Sequence, residues 1–321
     1  MKGCRRNPTM KRIVSTLCII LLFILMLVFP QAAFQGASAG LILWFQTVLP
    51  TLLPFFILSN LLIQSGSIDW IAMAISPVLC RFFRVSPYGA FAVLTGFLCG
   101  CPMGSKVTAD LLRNGCITRQ EGCYLLSFCN NTSPMFMISF VIWQNLQCSK
   151  LTYPLLAILL LSPVLLSFLF RRYYRIPREI VSAPQHFRKP DAEAARSEGM
   201  LDGCMMNGFE TVTRIGGYMM LFSIILSLAQ TFPLKSFLLS SVVLPSLEIT
   251  TGINMICGSD LAASARIIRS LALTSFGGWC AAAQTRAMIA DAPLPFLPYI
   301  IEKLAAALVT SLLVSIFLLL Y

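Results

Sequence analysis

Charged side chains are scarce in this chain: Asp, Glu, Lys and Arg together make up 12% of its 321 residues. A soluble globular domain carries about 25% charged residues, so the composition excludes that class. Hydrophobic residues instead make up 57% of the chain, and the mean hydropathy is +0.79. Because several apolar segments approach the roughly 20 residues that a helix needs to cross a bilayer, we predict an all-α, polytopic integral membrane protein.

Patterns for metal binding and catalysis are also missing. The chain has a single histidine, His186, and none of its 12 cysteines forms a C-x-x-C pair, so we expect no metal site. An H-E-x-x-H motif is absent, and Gly104-Ser105-Lys106 lacks the upstream glycine that a P-loop requires. We therefore expect neither an enzyme nor a bound cofactor.

The net charge of +11 is concentrated at the ends of apolar segments, not on a face that could bind nucleic acid. Five basic and no acidic residues occupy positions 1–12, while seven basic and five acidic residues occupy positions 171–202. An excess of Lys and Arg marks the cytoplasmic side of a membrane protein. We predict that the N-terminus and a linker at residues 171–202 are cytoplasmic, and we expect no nucleic-acid partner.

The first apolar segment, residues 13–30, admits two interpretations. The small residues Ala37-Ser38-Ala39 behind it resemble the cleavage site of a secretory signal. The segment is long for a signal, however, and Ala39 leads directly into another apolar segment. This favours a transmembrane helix within residues 1–35, although the sequence leaves cleavage open.

The remaining apolar segments lie on either side of the linker and predict about eight membrane segments in total. We expect two weak pseudo-repeats, at residues 36–170 and 203–321, because short motifs recur in the same order. Ser127-Phe128 before an Asn pair recurs, for example, as Ser275-Phe276 before a Gly pair. With the N-terminus and the linker both inside, the number of crossings before the linker must be even. At least one apolar segment of the first half should therefore be broken or re-entrant.

Residues 96–134 interrupt the apolar sequence with Gly, Asn and Pro. Membrane proteins tolerate a broken helix only where its backbone is buried in protein or lines a wet cavity, so we predict a substrate site here. We expect a break near residues 101–104, followed by a short helix capped by Ser105. Lys106 either pairs with Asp110 one turn away or turns towards the cavity as a positive charge. The candidate substrate-binding residues of this break are Gly100, Pro102, Gly104, Ser105, Lys106 and Thr108.

Three further interruptions add polar candidates. A second break is predicted ahead of Pro134, because proline disfavours helical geometry in the residue before it; the alternative is a polar cap on a solvent-facing loop. In the second half, an acidic residue at membrane depth is costly unless it is paired, protonated or wet, and a Gly pair takes the place of the Asn pair. The candidates at these positions are Asn130, Asn131, Ser133, Glu248, Thr250, Thr251, Gly277, Gly278 and Gln284. Arg214 either pairs with Glu210 or contributes charge to the site.

Taken together, these motifs resemble the YlbJ-type (SpoVV-type) sporulation integral membrane proteins. These belong to a wider nucleoside-recognition or Gate group, which is related in pattern to concentrative nucleoside transporters. The residues that carry the resemblance are Leu49-Pro50-Thr51-Leu52-Leu53-Pro54-Phe55-Phe56, Gly100-Cys101-Pro102-Met103-Gly104-Ser105-Lys106-Val107-Thr108-Ala109, Leu126-Ser127-Phe128-Cys129-Asn130-Asn131, Leu247-Glu248-Ile249-Thr250-Thr251-Gly252 and Ser275-Phe276-Gly277-Gly278. The resemblance covers the chain from about residue 36 to the C-terminus.

The resemblance implies transport of dipicolinate (pyridine-2,6-dicarboxylate) out of the mother-cell cytoplasm, across the outer forespore membrane of an endospore former. Such a planar dianion needs positive potential, which Lys106, helix N-termini and Arg214 could supply, with Phe128 or Phe276 against the ring. Two alternatives stay open, a nucleoside carrier and a non-transporting assembly protein. The expected partners are a small anionic substrate and the lipid bilayer, and the oligomeric state stays open between a monomer and a homo-oligomer.

Overall fold

The computed structural model describes residues 8–65, 77–176, 199–232 and 239–321. All regular secondary structure in these ranges is helical, which confirms the predicted all-α fold. The labelled helices of the first half are α1 (Pro8–Val28), α2 (Pro30–Leu43), α3 (Leu49–Gln64), α4 (Pro87–Leu98), α5 (Met103–Arg113), α6 (Arg119–Cys129), α7 (Pro134–Phe136) and α8 (Thr152–Tyr173). Those of the second half are α9 (Met200–Gln230), α10 (Leu244–Leu247), α11 (Ile249–Cys257), α12 (Ala263–Phe276), α13 (Gly278–Met288) and α14 (Phe296–Leu320). Shorter helical pieces lie at Trp44–Val48, residues 77–83, Met137–Asn145, Ser149–Leu151 and Leu239–Val243.

Several helices are suited to a bilayer. Among the described residues, the segments long and apolar enough to cross it are Arg119–Asn145, Ser149–Tyr173, Met200–Gln230 and Phe296–Leu320. The pair Thr16–Val28 and Pro30–Val48, bent by 106°, adds one more if it forms a single span. The chain is therefore polytopic, as predicted, while the predicted number of about eight membrane segments is not confirmed. Most of the predicted linker, residues 177–198, lies outside the described residues.

Helices α2 and α3 pack along α9 through small residues. Gly36 and Gly40 lie against the α9 backbone, and a Cβ atom on Gly36 would stand 2.7 Å from the carbonyl oxygen of Ser223. Between α2 and α3, the indole nitrogen of Trp44 donates a 2.8 Å hydrogen bond to the carbonyl oxygen of Val212. Small residues commonly allow membrane helices to approach this closely. Helices α2, α3 and α9 therefore form one tightly packed wall of the molecule.

The expectation that patterns for catalysis are missing needs one correction, because the sequence of α2 contains the letters of a G-x-S-x-G motif at residues 36–40. In serine hydrolases that motif forms a sharp strand-to-helix turn, which exposes the nucleophilic serine. Here the residues lie inside a continuous α-helix, and both glycines face α9. The motif therefore serves helix packing and forms no nucleophile elbow.

The first half contains two helix breaks that touch each other. One separates α4 from α5 at Gly100 and Pro102, where Gly100 has a φ of +85° and the Cys101–Pro102 peptide bond is cis. The other separates α6 from α7 at residues 130–133. A Cβ atom on Gly100 would lie 2.5 Å from the backbone nitrogen of Ser133. Only glycine both tolerates this φ and lets the two breaks approach so closely.

The helix behind the first break begins earlier than the sequence indicates. Helix α5 starts at Met103, whose backbone nitrogen donates to the carbonyl oxygen of Gly100 at 2.8 Å. The prediction that Ser105 caps this helix is therefore wrong, and the Ser105 hydroxyl instead donates to the carbonyl oxygen of Pro102 at 2.7 Å. Proline has no N–H to leave unpaired, so a helix readily begins beside it.

The second half shows the same order of breaks. Glu248, in extended geometry, separates α10 from α11, and Gly277, with a φ of +88°, separates α12 from α13. These two breaks also lie together, because a Cβ atom on Gly278 would stand 3.1 Å from the carbonyl oxygen of Ser246. The division into pseudo-repeats at residues 36–170 and 203–321 stays a prediction.

Candidate functional site

A cavity of about 140 Å³ lies where the four helix breaks meet. Each break contributes to its lining: Cys101 from the first, Ser133 from the second, Glu248 from the third and Gly277 from the fourth. Other lining residues are Val48, Leu52, Thr132, Phe136, Ile215, Met219, Thr250, Ala281 and Gln284. The walls are therefore mostly apolar, with polar groups where the helices are broken, as is usual for small-molecule sites.

The predicted site residues divide into three groups. Those that line the cavity are Ser133, Glu248, Thr250, Gly277 and Gln284. Those that lie in or beside the breaks without lining it are Gly100, Pro102, Asn130, Asn131, Thr251 and Gly278. The remaining four belong to the body of α5: Gly104, Ser105, Lys106 and Thr108. The sequence therefore predicted the two breaks of the first half, but neither the positions of the breaks in the second half nor which side chains each break presents to the cavity.

Asn130 connects three parts of the site although it is only 1% exposed. Its side-chain nitrogen donates to the Thr285 hydroxyl on α13 at 2.8 Å and to the Tyr299 hydroxyl on α14 at 2.9 Å. Its side-chain oxygen accepts a 3.3 Å hydrogen bond from the backbone nitrogen of Ser105 on α5. This burial excludes a solvent-facing loop, and Asn130 instead ties both breaks of the first half to the second half.

Lys303 on α14 is a buried cation that sequence reasoning missed. Its ammonium group donates to the backbone oxygen of Asn130 at 3.0 Å and to the side-chain oxygen of Asn131 at 3.4 Å, and the residue is 4% exposed. No carboxylate among the described residues lies within 4.0 Å of it; the neighbouring Glu302 accepts a hydrogen bond from the Tyr174 hydroxyl. The sequence signal that could have identified Lys303 is the adjacent charged pair Glu302-Lys303 inside the apolar sequence of α14. Ionisable residues within membrane helices are commonly functional.

Glu248 is the one acidic side chain among the described residues that line the cavity, and it is 2% exposed. Its carboxylate accepts hydrogen bonds from the backbone nitrogens of Thr250 at 3.1 Å and Thr251 at 2.8 Å, and from both threonine hydroxyls. These donors form the first turn of α11, where the helix dipole favours negative charge. The buried carboxylate is thus stabilised by its own helix. The described residues contain no cluster of three metal-ligating side chains.

Lys106 lies outside the cavity lining, on a face of α5 that packs against α3 and α9. Its ammonium group donates a 3.0 Å hydrogen bond to the Thr211 hydroxyl and stands 5.3 Å from the ring centroid of Phe56. Asp110, its predicted pairing partner, pairs with Arg113 instead. Lys106 thus packs between helices outside the lining, and its contact with a substrate stays a prediction.

Arg214 and the two predicted aromatic contacts also lie away from the cavity. Arg214 pairs with Glu210 at 2.6 Å, and both side chains are about 60% exposed. Phe128 is packed in the core at 1% exposure, and Phe276 is absent from the lining. The aromatic ring that does line the cavity is Phe136, which sequence reasoning did not single out.

Two similarities to known proteins bear on this cavity. A family model named Gate and described as nucleoside recognition matches residues 45–147, a range that includes both helix breaks of the first half. The Bacillus subtilis (strain 168) protein named sporulation integral membrane protein YlbJ is 28% identical over 305 residues, covering 86% of this chain and 75% of that protein. No solved structure matches the chain. The predicted resemblance to YlbJ-type proteins with a Gate module is confirmed, and the chain is an integral membrane protein.

Proposed function

We propose that this chain transports a small anionic solute across a membrane, and that the solute is dipicolinate during endospore formation. The observation that carries the proposal is the cavity to which four helix breaks contribute lining residues, in an integral membrane protein. Secondary transporters commonly bind their substrates between discontinuous helices contributed by two halves of the chain. Similarity to a protein named for sporulation supports the setting. The proposed location is the outer forespore membrane, with the N-terminus and the linker on the cytoplasmic side.

The size of the cavity supports a solute with one ring. Its volume is about 140 Å³, close to that of an engineered protein cavity of about 150 Å³ that binds benzene. Phe136 and the aliphatic side chains of Leu52 and Met219 offer contact to a planar ring, and the hydroxyl of Ser133 offers a polar contact.

A dianion in the cavity needs positive potential, which must come from groups adjacent to the lining residues. Among the described residues that line the cavity there is no Lys, Arg or His, and Glu248 contributes a negative charge. Helix α13 begins directly behind Gly277 in the lining, which brings the positive end of its dipole to the cavity. The ammonium group of Lys303 adds a full positive charge behind Asn130. The N-terminus of α13 and the ammonium group of Lys303 therefore supply positive potential to the cavity. The negative charge of Glu248 is already stabilised by the first turn of α11.

Uptake of labelled dipicolinate into proteoliposomes tests the proposal, with uridine as the competing solute. Ala281 lines the cavity, so Ala281→Phe places a ring in the space that the solute would occupy, and we expect it to abolish uptake. The matched control is Ala290→Phe, at an exposed position just beyond α13, which should leave uptake unchanged. Both variants must be shown to be folded and inserted.

Each result of this experiment decides between the hypotheses. Dipicolinate uptake that survives Ala281→Phe would show that the solute does not pass through this cavity. Uptake of uridine but not of dipicolinate would support the cavity as the transport site and would show that the substrate is a nucleoside. No flux of either solute through folded protein would favour the non-transporting assembly role.

A nucleoside is the second candidate substrate. The matching family model is described as nucleoside recognition. The lining residues that the structure describes include one acidic and no basic side chain. A neutral nucleoside suits that charge, because the Glu248 carboxylate can accept hydrogen bonds from sugar hydroxyls. Glu248→Gln separates the two candidates: removing the negative charge should raise the affinity for dipicolinate and lower the affinity for uridine.

A further inference from the structure

Lys303 is a full positive charge buried in a membrane helix, and the described residues offer it no anionic partner within 4.0 Å. Its two hydrogen-bond acceptors, the Asn130 backbone oxygen and the Asn131 side-chain oxygen, are both neutral. An ammonium group has three donors, so one N–H is left without an acceptor among these residues. A buried charge is costly unless it is compensated, and in membrane proteins such residues commonly mark the substrate path.

A short chain of contacts connects this charge to the cavity. The ammonium group of Lys303 lies 3.0 Å from the backbone oxygen of Asn130, whose side-chain nitrogen lies 3.5 Å from the sulfur of Cys101. Cys101 lines the cavity. One residue therefore separates Lys303 from the lining. Because that residue is buried, water screens little of the attraction between the ammonium group and an anion in the cavity.

The nearby acids do not cancel this charge. Glu302 precedes Lys303 on α14, but its carboxylate is engaged by the Tyr174 hydroxyl on a different face of the helix. Glu248 lies in the cavity lining, where four donors from the first turn of α11 surround it. A solute carboxylate that enters the cavity would therefore meet an uncompensated positive charge in Lys303.

We infer that Lys303 is the counter-charge that selects carboxylate-bearing ring solutes over neutral ones at this site. It acts on the solute through Asn130 and Cys101, and is thus a specificity residue without direct contact. The inference rests on the proposed function and makes it more specific: Lys303 on the last helix, not Lys106 beside the first break, supplies the positive charge.

Two probes of the same shape test the inference by equilibrium binding to purified protein: dipicolinate and its neutral diamide, pyridine-2,6-dicarboxamide. Lys303→Met removes the charge and keeps the length of the side chain. We expect the affinity for dipicolinate to fall about 10- to 30-fold. This is the effect of one unit charge about 8–12 Å from the solute at an effective dielectric constant of about 20. The affinity for the diamide should not change, and Lys303→Arg should retain most of the preference for the anion.

Two further variants provide a control and an independent route. Lys106→Met is the control: it removes a different cation, which is half-buried and lies outside the cavity lining. It should leave the affinities for both probes unchanged. Asn131→Asp keeps Lys303 and places a carboxylate where a neutral acceptor now lies 3.4 Å from the ammonium group. That internal partner should weaken dipicolinate binding by a similar factor and spare the diamide, so the test does not depend on the folding of Lys303→Met.

The possible results separate this inference from the proposed function. Equal loss of both probes would assign Lys303 a merely structural role and overturn the inference. Unchanged dipicolinate affinity in Lys303→Met would overturn the inference, and if that variant does not fold, unchanged affinity in Asn131→Asp would do the same. The proposed function would still stand in either case if the wild-type protein transports dipicolinate. Wild-type protein that binds neither probe would overturn the proposed function and this inference with it.

Discussion

Asn130 provides a direct test of how the broken helices are held together. Asn130→Leu preserves most of the side-chain volume but removes the hydrogen bonds to Thr285 and Tyr299 and the one from the Ser105 backbone nitrogen. Each such bond is worth about 0.5–1.5 kcal/mol, and a buried partner left unsatisfied increases the cost. We therefore expect the free energy of unfolding to fall by about 2–4 kcal/mol.

Thermal unfolding of the purified protein in detergent, followed by tryptophan fluorescence, measures this loss. A change of this size should lower the Tm by roughly 5–10 °C. The matched control is Asn114→Leu, at an exposed position directly after α5, which should stay within about 0.5 kcal/mol of the wild type. A double-mutant cycle with Thr285→Val isolates one contact and should give a coupling energy of at least about 0.5 kcal/mol. The reasoning is refuted if Asn130→Leu is as stable as Asn114→Leu.

Two further substitutions test close contacts between helices. Gly100→Ala should lower the Tm more than Gly115→Ala: both positions have a positive φ, +85° and +72°, but a Cβ atom would meet Ser133 at 2.5 Å in the first case and nothing within 4 Å in the second. Equal shifts in the two variants would contradict the contact between the breaks. Trp44→Phe removes the 2.8 Å hydrogen bond to Val212 and should cost about 1 kcal/mol in the same unfolding transition. An unchanged transition would show that this bond does not hold α2 and α3 to α9.

Local chemistry in the sequence was sufficient to find the two helix breaks of the first half. Gly100 and Pro102 interrupt a helix whatever packs around them, because one favours a positive φ and the other lacks an N–H. The segment before Pro134 follows from the same local rules. Glu248 was recognisable because a carboxylate within an apolar segment needs donors, and the first turn of the next helix supplies them.

The side chains that meet at the breaks could not be predicted, because they depend on contacts between distant helices. Lys106 stands next to a break in the sequence but faces α3 and α9, while Lys303 reaches Asn130 across 173 positions. Successive residues of an α-helix are rotated by about 100°. Helix α5 starts at Met103, three residues earlier than expected, and this change in its boundary and cap alters which neighbours its first-turn side chains meet.

The contacts between paired breaks constrain how the molecule can move. Gly100 lies against the backbone of Ser133, and Gly278 lies close to that of Ser246, so neither member of a pair can shift far without colliding with the other. Under the proposed transport function, a displacement that keeps these contacts would move each pair as one body and would expose the cavity first to one side of the membrane and then to the other. The hydrogen bonds from Asn130 to Thr285 and from Lys303 to Asn130 cross that boundary. Such a displacement would have to lengthen or break them.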